Sequence, residues 1–251
     1  MTTKEKVIEA LEKEKGSYIS GEALAKSCGV SRNAIWKSIT ELREGGYPIQ
    51  SVNNRGYMLE EDSDIISKAG ICMQLQAASG GSPRGKNWPD RIDVHEELDS
   101  TNGEAKRSLF QDGGRIPHGT AIIAKRQTAG RGHGGSRFSS PDGGIYLTVI
   151  LDPAKVNARP DGIAARVEQI VTHVLEEAAS VTLERREDSS LYAGKDKICG
   201  IMTEGISDLE TGEYSSYIVG IGIRLGKLHG EKHIHTKKNE LIASLILELI
   251  S

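Results

Sequence analysis

Across residues 1–60, apolar positions recur at helical spacing and are punctuated by capping residues. Val7, Ile8 and Leu11 share one face of a segment over residues 3–15, which Gly16 stops. Ser20 caps a second short helix over 21–27 that buries Leu24, Ala25 and Cys28, and Gly29-Val30 makes the turn. Ser31 caps a third helix over 32–44, with Ile35, Ile39 and Leu42 on its inner face, and Gly45-Gly46 ends it. The pattern then switches to alternation. Ile49-Gln-Ser-Val52 and Tyr57-Met-Leu59, on either side of Asn53-Asn-Arg-Gly56, predict a β-hairpin. Helices joined by a short Gly-containing turn, followed by a hairpin, predict a winged helix-turn-helix.

Beyond this unit the pattern changes character. Residues 60–68 are acidic and polar, and residues 77–87 are Gly/Ser-rich and expected to be flexible. Residues 92–98 alternate weakly like a strand, and Asp99-Ser-Thr-Asn102 can cap a following helix or offer ligand donors. Thr120 to Ala124 and Ile145 to Leu151 read as strands. An amphipathic helix over 162–179 uses Ile163, Val167, Ile170, Val171, Val174 and Leu175, with His173 on its polar face or at the core edge. Two β-rich runs, 197–204 and 217–223, precede a last helix over 238–250 carrying Leu241, Ile242, Leu245, Ile246 and Leu249. The prediction is an α+β protein in three parts: a winged-helix unit over 1–61, a linker over 62–91 and a mixed core over 92–251.

Composition narrows the possibilities. At 251 residues, 37% hydrophobic and 27% charged, the chain can bury one or two cores and has the balance of a soluble globular protein. The net charge of −3 excludes a generally basic nucleic-acid coat. Cys28, Cys72 and Cys199 are scattered and odd in number, which argues against a disulfide framework or a zinc site. The amino terminus has no apolar signal region and no 18-residue apolar run occurs, so a cytoplasmic protein without membrane attachment is expected. Any DNA contact must then be local. Arg32, Asn33, Lys37 and Ser38 are expected to face outward near the start of the third helix, and Arg55 at the wing tip. A protein-interaction module remains the other reading of this unit. The unit is about neutral, so stable DNA binding would need two copies.

The chemistry concentrates in residues 127–148. Five glycines fall between Gly130 and Gly143, with Arg131 and Arg137 among them. Such density lets backbone approach a ligand, and arginines beside free N–H groups suit phosphate or carboxylate. A flexible surface hairpin has the same composition. No Gly-Lys-Ser/Thr follows, so this is not a P-loop, and Gly130-x-Gly132 opens no apolar helix as a dinucleotide site would.

The order Gln-Thr-Ala-Gly-Arg-Gly, then Ser-Pro-x-Gly and Ile-Tyr-Leu, resembles the biotin- and ATP-binding loop of the biotin protein ligases. The amino-terminal strings Ser-Gly-Glu-Ala-Leu-Ala, Gly-Val-Ser-Arg-Asn-Ala-Ile-Trp-Lys and Arg-Gly-Tyr-Met-Leu resemble the bifunctional biotin ligase/biotin operon repressors. That resemblance implies an antiparallel-rich, class II synthetase-like sheet packed by helices. It implies biotin and ATP as substrates with Mg2+, and operator DNA, a biotin carrier protein domain and a second copy in a ligand-linked homodimer as partners. It assigns biotin or adenylate contacts to Ser100, Thr101, Asn102, Gln127, Arg131, Gly132, His133 and Lys197, with Arg131 and Lys197 as the cations at the reacting oxygens.

Departures from the family pattern are as plain. His133 and Ser136 stand where the family has the second and third arginines of the loop. Arg186-Glu-Asp-Ser-Ser190 stands where Lys-Trp-Pro-Asn-Asp is expected, with Asp188 two places from the missing aspartate. Gly-Ile-Gly-Ile-Asn has become Gly220-Ile-Gly-Ile-Arg224, and the small carboxy-terminal β-domain of the family is expected to be missing after Ser251. Three functions remain open: a working ligase that is also a biotin-responsive repressor, a DNA-binding regulator whose impaired core only senses biotin or its adenylate, and a winged-helix protein that has lost ligand binding.

Overall fold

A computed structural model describes residues 1–78, 87–111, 116–156, 161–186, 188–208, 210–227, 233–234 and 236–251, without the side chains of His133, Lys227, His233 and Ile234. Most of the stretch expected to be flexible, 79–86, lies outside these residues. The amino-terminal unit is α1 (Thr3–Lys13), α2 (Gly21–Cys28), α3 (Arg32–Glu44) and a hairpin of β1 (Ile49–Val52) with β2 (Gly56–Leu59). Each helix start is satisfied by a hydroxyl: Thr2 in a capping box with Glu5, Ser20 accepting from Ala23 N, and Ser31 from Ala34 N. Gly29 ends α2 with φ +68°, a left-handed turn that glycine takes without strain. Val7, Leu11, Leu24, Ile35, Ile39, Leu42 and Leu59 close a core of their own.

The carboxy-terminal unit is built on a seven-stranded sheet. Its strands are β3 (Ile92–Leu98), β4 (Thr120–Gln127), β5 (Ile145–Leu151), β6 (Glu184–Arg186), β7 (Ser190–Ala193), β8 (Asp196–Ser207) and β9 (Tyr214–Ile223), in the order β3-β4-β5-β9-β8-β7-β6. Among the described residues only the β3–β4 pair is parallel. Every residue of β5 is buried, as a central strand covered on both faces requires. On one face lie α4 (Lys68–Ala78), α7 (Ile163–Ala179) and α8 (Lys238–Ile250), with the short α5 (Trp88–Arg91) leading into β3. On the other face, α6 (Thr101–Gln111) packs Ala105 and Leu109 on Ile122, Ile150 and Ile218. His173 is exposed on α7, and all three cysteines are free and buried.

Residues 62–78 differ from the linker expected there. The segment before α4 is fastened on both sides: Ser67 Oγ donates to the buried Glu12 of α1 (3.0 Å), and Ser67 N donates to Asn239 of α8 (3.1 Å). Lys15 completes the partners of Glu12 at 3.7 Å, which a buried carboxylate needs. The α4 helix buries Ile71, Cys72 and Leu75. Further along, Lys125 of β4 sits 5.6 Å from the Tyr47 ring and 2.8 Å from Glu96, so the winged helix also leans on the sheet edge.

His118 ties the two ends of the core together. Its Nδ1 accepts from Asp152 N (3.0 Å), and its Nε2 lies 3.4 Å from the Ile250 carbonyl. Burial lowers its pKa against the opposing pull of the Ile250 carbonyl, with Lys155 and Arg91 lowering it further and Asp152 raising it. A group that titrates lower in the folded state than unfolded stabilises above its unfolded pKa and loses that contribution as pH falls. Thermal stability is therefore expected to decline as pH drops from about 7.5 towards 5.5, the range around the ordinary histidine value of about 6.5. His118→Asn, which keeps an acceptor for Asp152 N but does not titrate, should flatten this slope in a melting series across that range.

Candidate functional site

The site forms where the amino-terminal end of α6, the end of β4 and the middle of β8 and β9 meet. Ser100 precedes α6, and its hydroxyl accepts from Gly103 N at 3.3 Å, so the capping role holds. Asp99 anchors the same turn. It accepts from Ser100 N and takes both arms of the Arg107 guanidinium at 2.6 and 2.9 Å, and that fork above all lowers its pKa to about 2. Thr101 donates from both N (2.8 Å) and Oγ1 (3.1 Å) to Gln127 Oε1, while Gln127 Nε2 donates to Ser140 Oγ at 2.8 Å. Gln127 thus clamps α6 to the far side of the glycine stretch.

Asn102 points the other way. Its amide donates to Glu204 of β8 (2.9 Å) and its carbonyl accepts from Thr148 of β5 (2.6 Å), with Lys106 holding Glu204 at 2.6 Å. Gly220 lies directly beneath it, where any Cβ would overlap the Asn102 side chain. Gly200 and Gly222 face each other across β8 and β9 and make a second bare patch. The Phe138 ring lies on it, so that a Cβ at Gly200 would sit 2.7 Å from the ring and one at Gly222 would overlap it. These glycines are needed because neighbouring groups approach the sheet too closely for a side chain.

The glycine stretch folds back on itself. Gln127 N donates to Ser140 O, Phe138 N to Gly130 O and Gly132 N to Ser136 O, with Arg131 opposite Arg137 in an isolated bridge. Gly134 and Gly135 take φ +64° and +78°, at the tip. Pro141 is held by Tyr146 Oη (2.7 Å), whose hydroxyl burial pushes up to about 12. Opposite the stretch, Lys197 Nζ donates to Asp188 Oδ2 (3.3 Å), which also accepts from the buried Ser190 hydroxyl (2.9 Å). Burial by itself would raise the Asp188 carboxyl, but the Ser190 and Lys197 hydrogen bonds outweigh it and hold it below the ordinary value. Ser189, with φ +54°, fixes this turn by donating to Glu168 of α7 (2.5 Å).

These groups enclose a cavity of about 150 Å³, with Ser100, Thr101, Asn102, Gln127, Arg131, Gly132 and Lys197 in its wall. Seven of the expected ligand residues, from three separate stretches, therefore converge on one cavity, and the His133 side chain lies outside the described residues. The sequence reading missed Phe138, Ser190 and the Gly200–Gly222 patch. Its signal for the last was the repeated small residue in two adjacent β-rich runs. In the amino-terminal unit, Arg32, Asn33, Lys37 and Arg55 are exposed, and Arg55 stacks 4.3 Å from the Tyr18 ring. Ser38 is a correction. It is 5% exposed and belongs to the inner face, being three residues after Ile35 and four before Leu42, so it is withdrawn from the DNA-facing set.

Comparison with known proteins agrees with this layout. A family model described as an HTH domain matches residues 3–58, and that of the biotin/lipoate A/B protein ligase family matches residues 96–223, about half the chain. The chain is 28% identical over 227 residues to the bifunctional ligase/repressor BirA of Bacillus subtilis, covering 90% of this chain and 66% of that protein. It is 29% identical over 248 residues to the protein of the same name from Escherichia coli, covering 93% of this chain and 72% of the other. Among solved structures, the biotin acetyl coenzyme A carboxylase synthetase of Helicobacter pylori with bound biotinylated ATP aligns at TM-score 0.52 and 18% identity, over 63% of this chain and 72% of that one. It shares the core fold. The chain thus spans just under two thirds of the length of the Bacillus relative.

Proposed function

The chain belongs to the biotin/lipoate A/B protein ligase family, and on that footing we propose that its cavity binds biotin and ATP and joins them as biotinyl adenylate. The biotinyl group then passes to a lysine of a carrier protein domain. In the first step the biotin carboxylate attacks the α-phosphorus and pyrophosphate leaves. In the second, the lysine amine attacks the acyl carbonyl and AMP leaves. Neither step needs a side-chain nucleophile, but both bring anionic oxygens together and need fixed positive charge. Lys197 and Arg131 supply it. Ser100, Thr101 and Asn102, with Gln127, hold the ureido end, and Gly132, having no side chain, lets the backbone approach the phosphate. Mg2+ would arrive with the ATP phosphates. Among the described residues no three His, Cys, Asp or Glu side chains cluster to hold a metal, and Asp188 is the one carboxylate in the cavity wall.

The observation that carries this reading is the convergence of three separated stretches on one cavity. At about 150 Å³ the cavity is smaller than the roughly 300–1,000 Å³ usual for small-molecule sites, so the glycine stretch must open to admit both substrates. Calorimetric titration of the chain with biotin, then ATP, tests this: heat on biotin addition, enhanced by ATP, supports it, and no heat with either refutes it.

For the amino-terminal unit we propose operator DNA as the partner, read by α3 in the major groove, in a chain divided into a winged-helix unit over 1–61 and a ligase unit that takes in α4 and α5 as well as residues 92–251. Its near neutrality calls for two copies, supplied by a ligand-linked homodimer. No described helix is long and apolar enough to cross a membrane, in keeping with a cytoplasmic role. The lost loop arginines favour a second reading, a regulator that senses biotin or its adenylate without efficient transfer. Lys37→Ala is expected to weaken binding to all duplexes and reduce the salt slope by about one, whereas Asn33→Ala should mainly relax base preference. Gel-shift titrations at several salt concentrations separate the two outcomes.

A further inference from the structure

We infer that Trp36 sets the base preference of the winged helix by packing its indole on thymine methyl groups in the major groove, an inference that rests on the DNA-reading role proposed above. Trp36 is 61% exposed, in a unit whose Ile35, Ile39, Leu42 and Tyr47 are all buried. It leaves α3 on the exposed flank, roughly 100° around the helix from the buried stripe of Ile35, Ser38, Ile39 and Leu42. Arg32 and Asn33 lie one turn before it on that face and Lys37 beside it, all exposed. Among the described residues the indole has no stacking or cation–π partner. Thr40, one turn later, has its hydroxyl turned back to the Trp36 carbonyl at 3.0 Å, so it is not extended towards a partner.

An indole left in water adds nothing to the stability of the unit; its apolar surface gains only when something covers it. The cations around it select a polyanion. Within the major groove most base-edge groups are donors or acceptors, and a ring laid over them would strip their water without replacing the hydrogen bonds. The thymine 5-methyl is the apolar exception. The ring therefore favours A·T pairs, and the neighbouring Asn33 amide suits adenine, the other base of the same pair. Direction and chemistry agree: a cation–amide–indole face reads A·T steps.

Fluorescence anisotropy with the full chain, biotin and ATP, and three duplexes of equal length tests this: poly(dA-dT), poly(dA-dU) and poly(dG-dC). Uracil keeps every hydrogen-bonding group of thymine and removes only the methyl. The wild type should bind the thymine duplex tighter than the uracil duplex by about fourfold for each methyl covered. Trp36→Ala should bind the two equally with an unchanged salt slope, and Trp36→Phe should keep a preference for thymine. Equal binding of both duplexes by the wild type, or an undiminished preference in Trp36→Ala, overturns the inference while leaving DNA binding intact. Failure to bind any of the three overturns the DNA-reading role itself, and the inference with it.

Discussion

Replacing Lys197 with methionine is expected to slow biotinyl adenylate formation about 10²–10³-fold, the effect of removing one preorganised charge from a reacting oxyanion. Methionine keeps most of the unbranched stem, so packing beside Phe138 changes little. The charge is what goes. Its loss also leaves Asp188, held close to the cavity by Ser190, without its counter-ion and facing the incoming phosphates. Two penalties therefore act together, and the second can be removed separately. Asp188→Asn in the Lys197→Met background should recover part of the lost rate, whereas Asp188→Asn alone should weaken the hold on Lys197 and slow the wild type. Single-turnover measurement of adenylate formation checks both. A Lys197→Met rate within threefold of wild type would remove this lysine from the reaction.

Gly220→Ala is expected to cost about 1–3 kcal/mol of stability and abolish biotin binding, because overpacking in a fixed environment cannot be relieved. The added methyl would overlap Asn102, and Asn102 cannot step aside without breaking its bonds to Glu204 and Thr148. Displacing it would also tilt the start of α6, and with it the Thr101–Gln127 clamp. The melting temperature should fall by about 2–4 °C for each kcal/mol lost in a chain of this size. Gly103→Ala is the contrasting case. Its Cβ would meet only ordinary contacts, 3.4 Å from Ser100 Cβ and beyond, and alanine favours the helix by up to about 1 kcal/mol. Calorimetric melts of the two variants, with a biotin titration of each, test the contrast: equal stability and binding in both would mean that Asn102 is free to move.

Where one physical signal dominated, the fold could be read from the sequence. The bounds of β5 and α8 match the expected 145–151 and 238–250, the first as an unbroken apolar run and the second as a broad apolar face. Capping hydroxyls at Ser20 and Ser31 located α2 and α3 for the same reason. Helix α4 was not legible, because its apolar residues lack a clear period and what holds it is remote: Glu12 on one side and Asn239 on the other, reached through Ser67. Strand β7 was hidden in what reads as a lost motif, since its meaning comes from pairing with β8. Ser38 was misplaced because a small polar residue gives no hint of burial unless its register with Ile35 and Leu42 is counted. Within the site, the expected residues that line the cavity were legible as strings. Their commitments to one another, such as Gln127 to Thr101 and Ser140 or Lys197 to Asp188, exist only once the strands are paired.

Formation of an acyl adenylate in this cavity can be read directly. The most direct measurement is incubation of the chain with biotin and ATP, without carrier protein, followed by mass spectrometry of the small molecules released on denaturation. Biotinyl-5′-AMP and pyrophosphate are expected in equal amounts, and neither from Lys197→Met on the same timescale. Biotin and ATP recovered unchanged from the wild type, despite measurable binding of both, would contradict it.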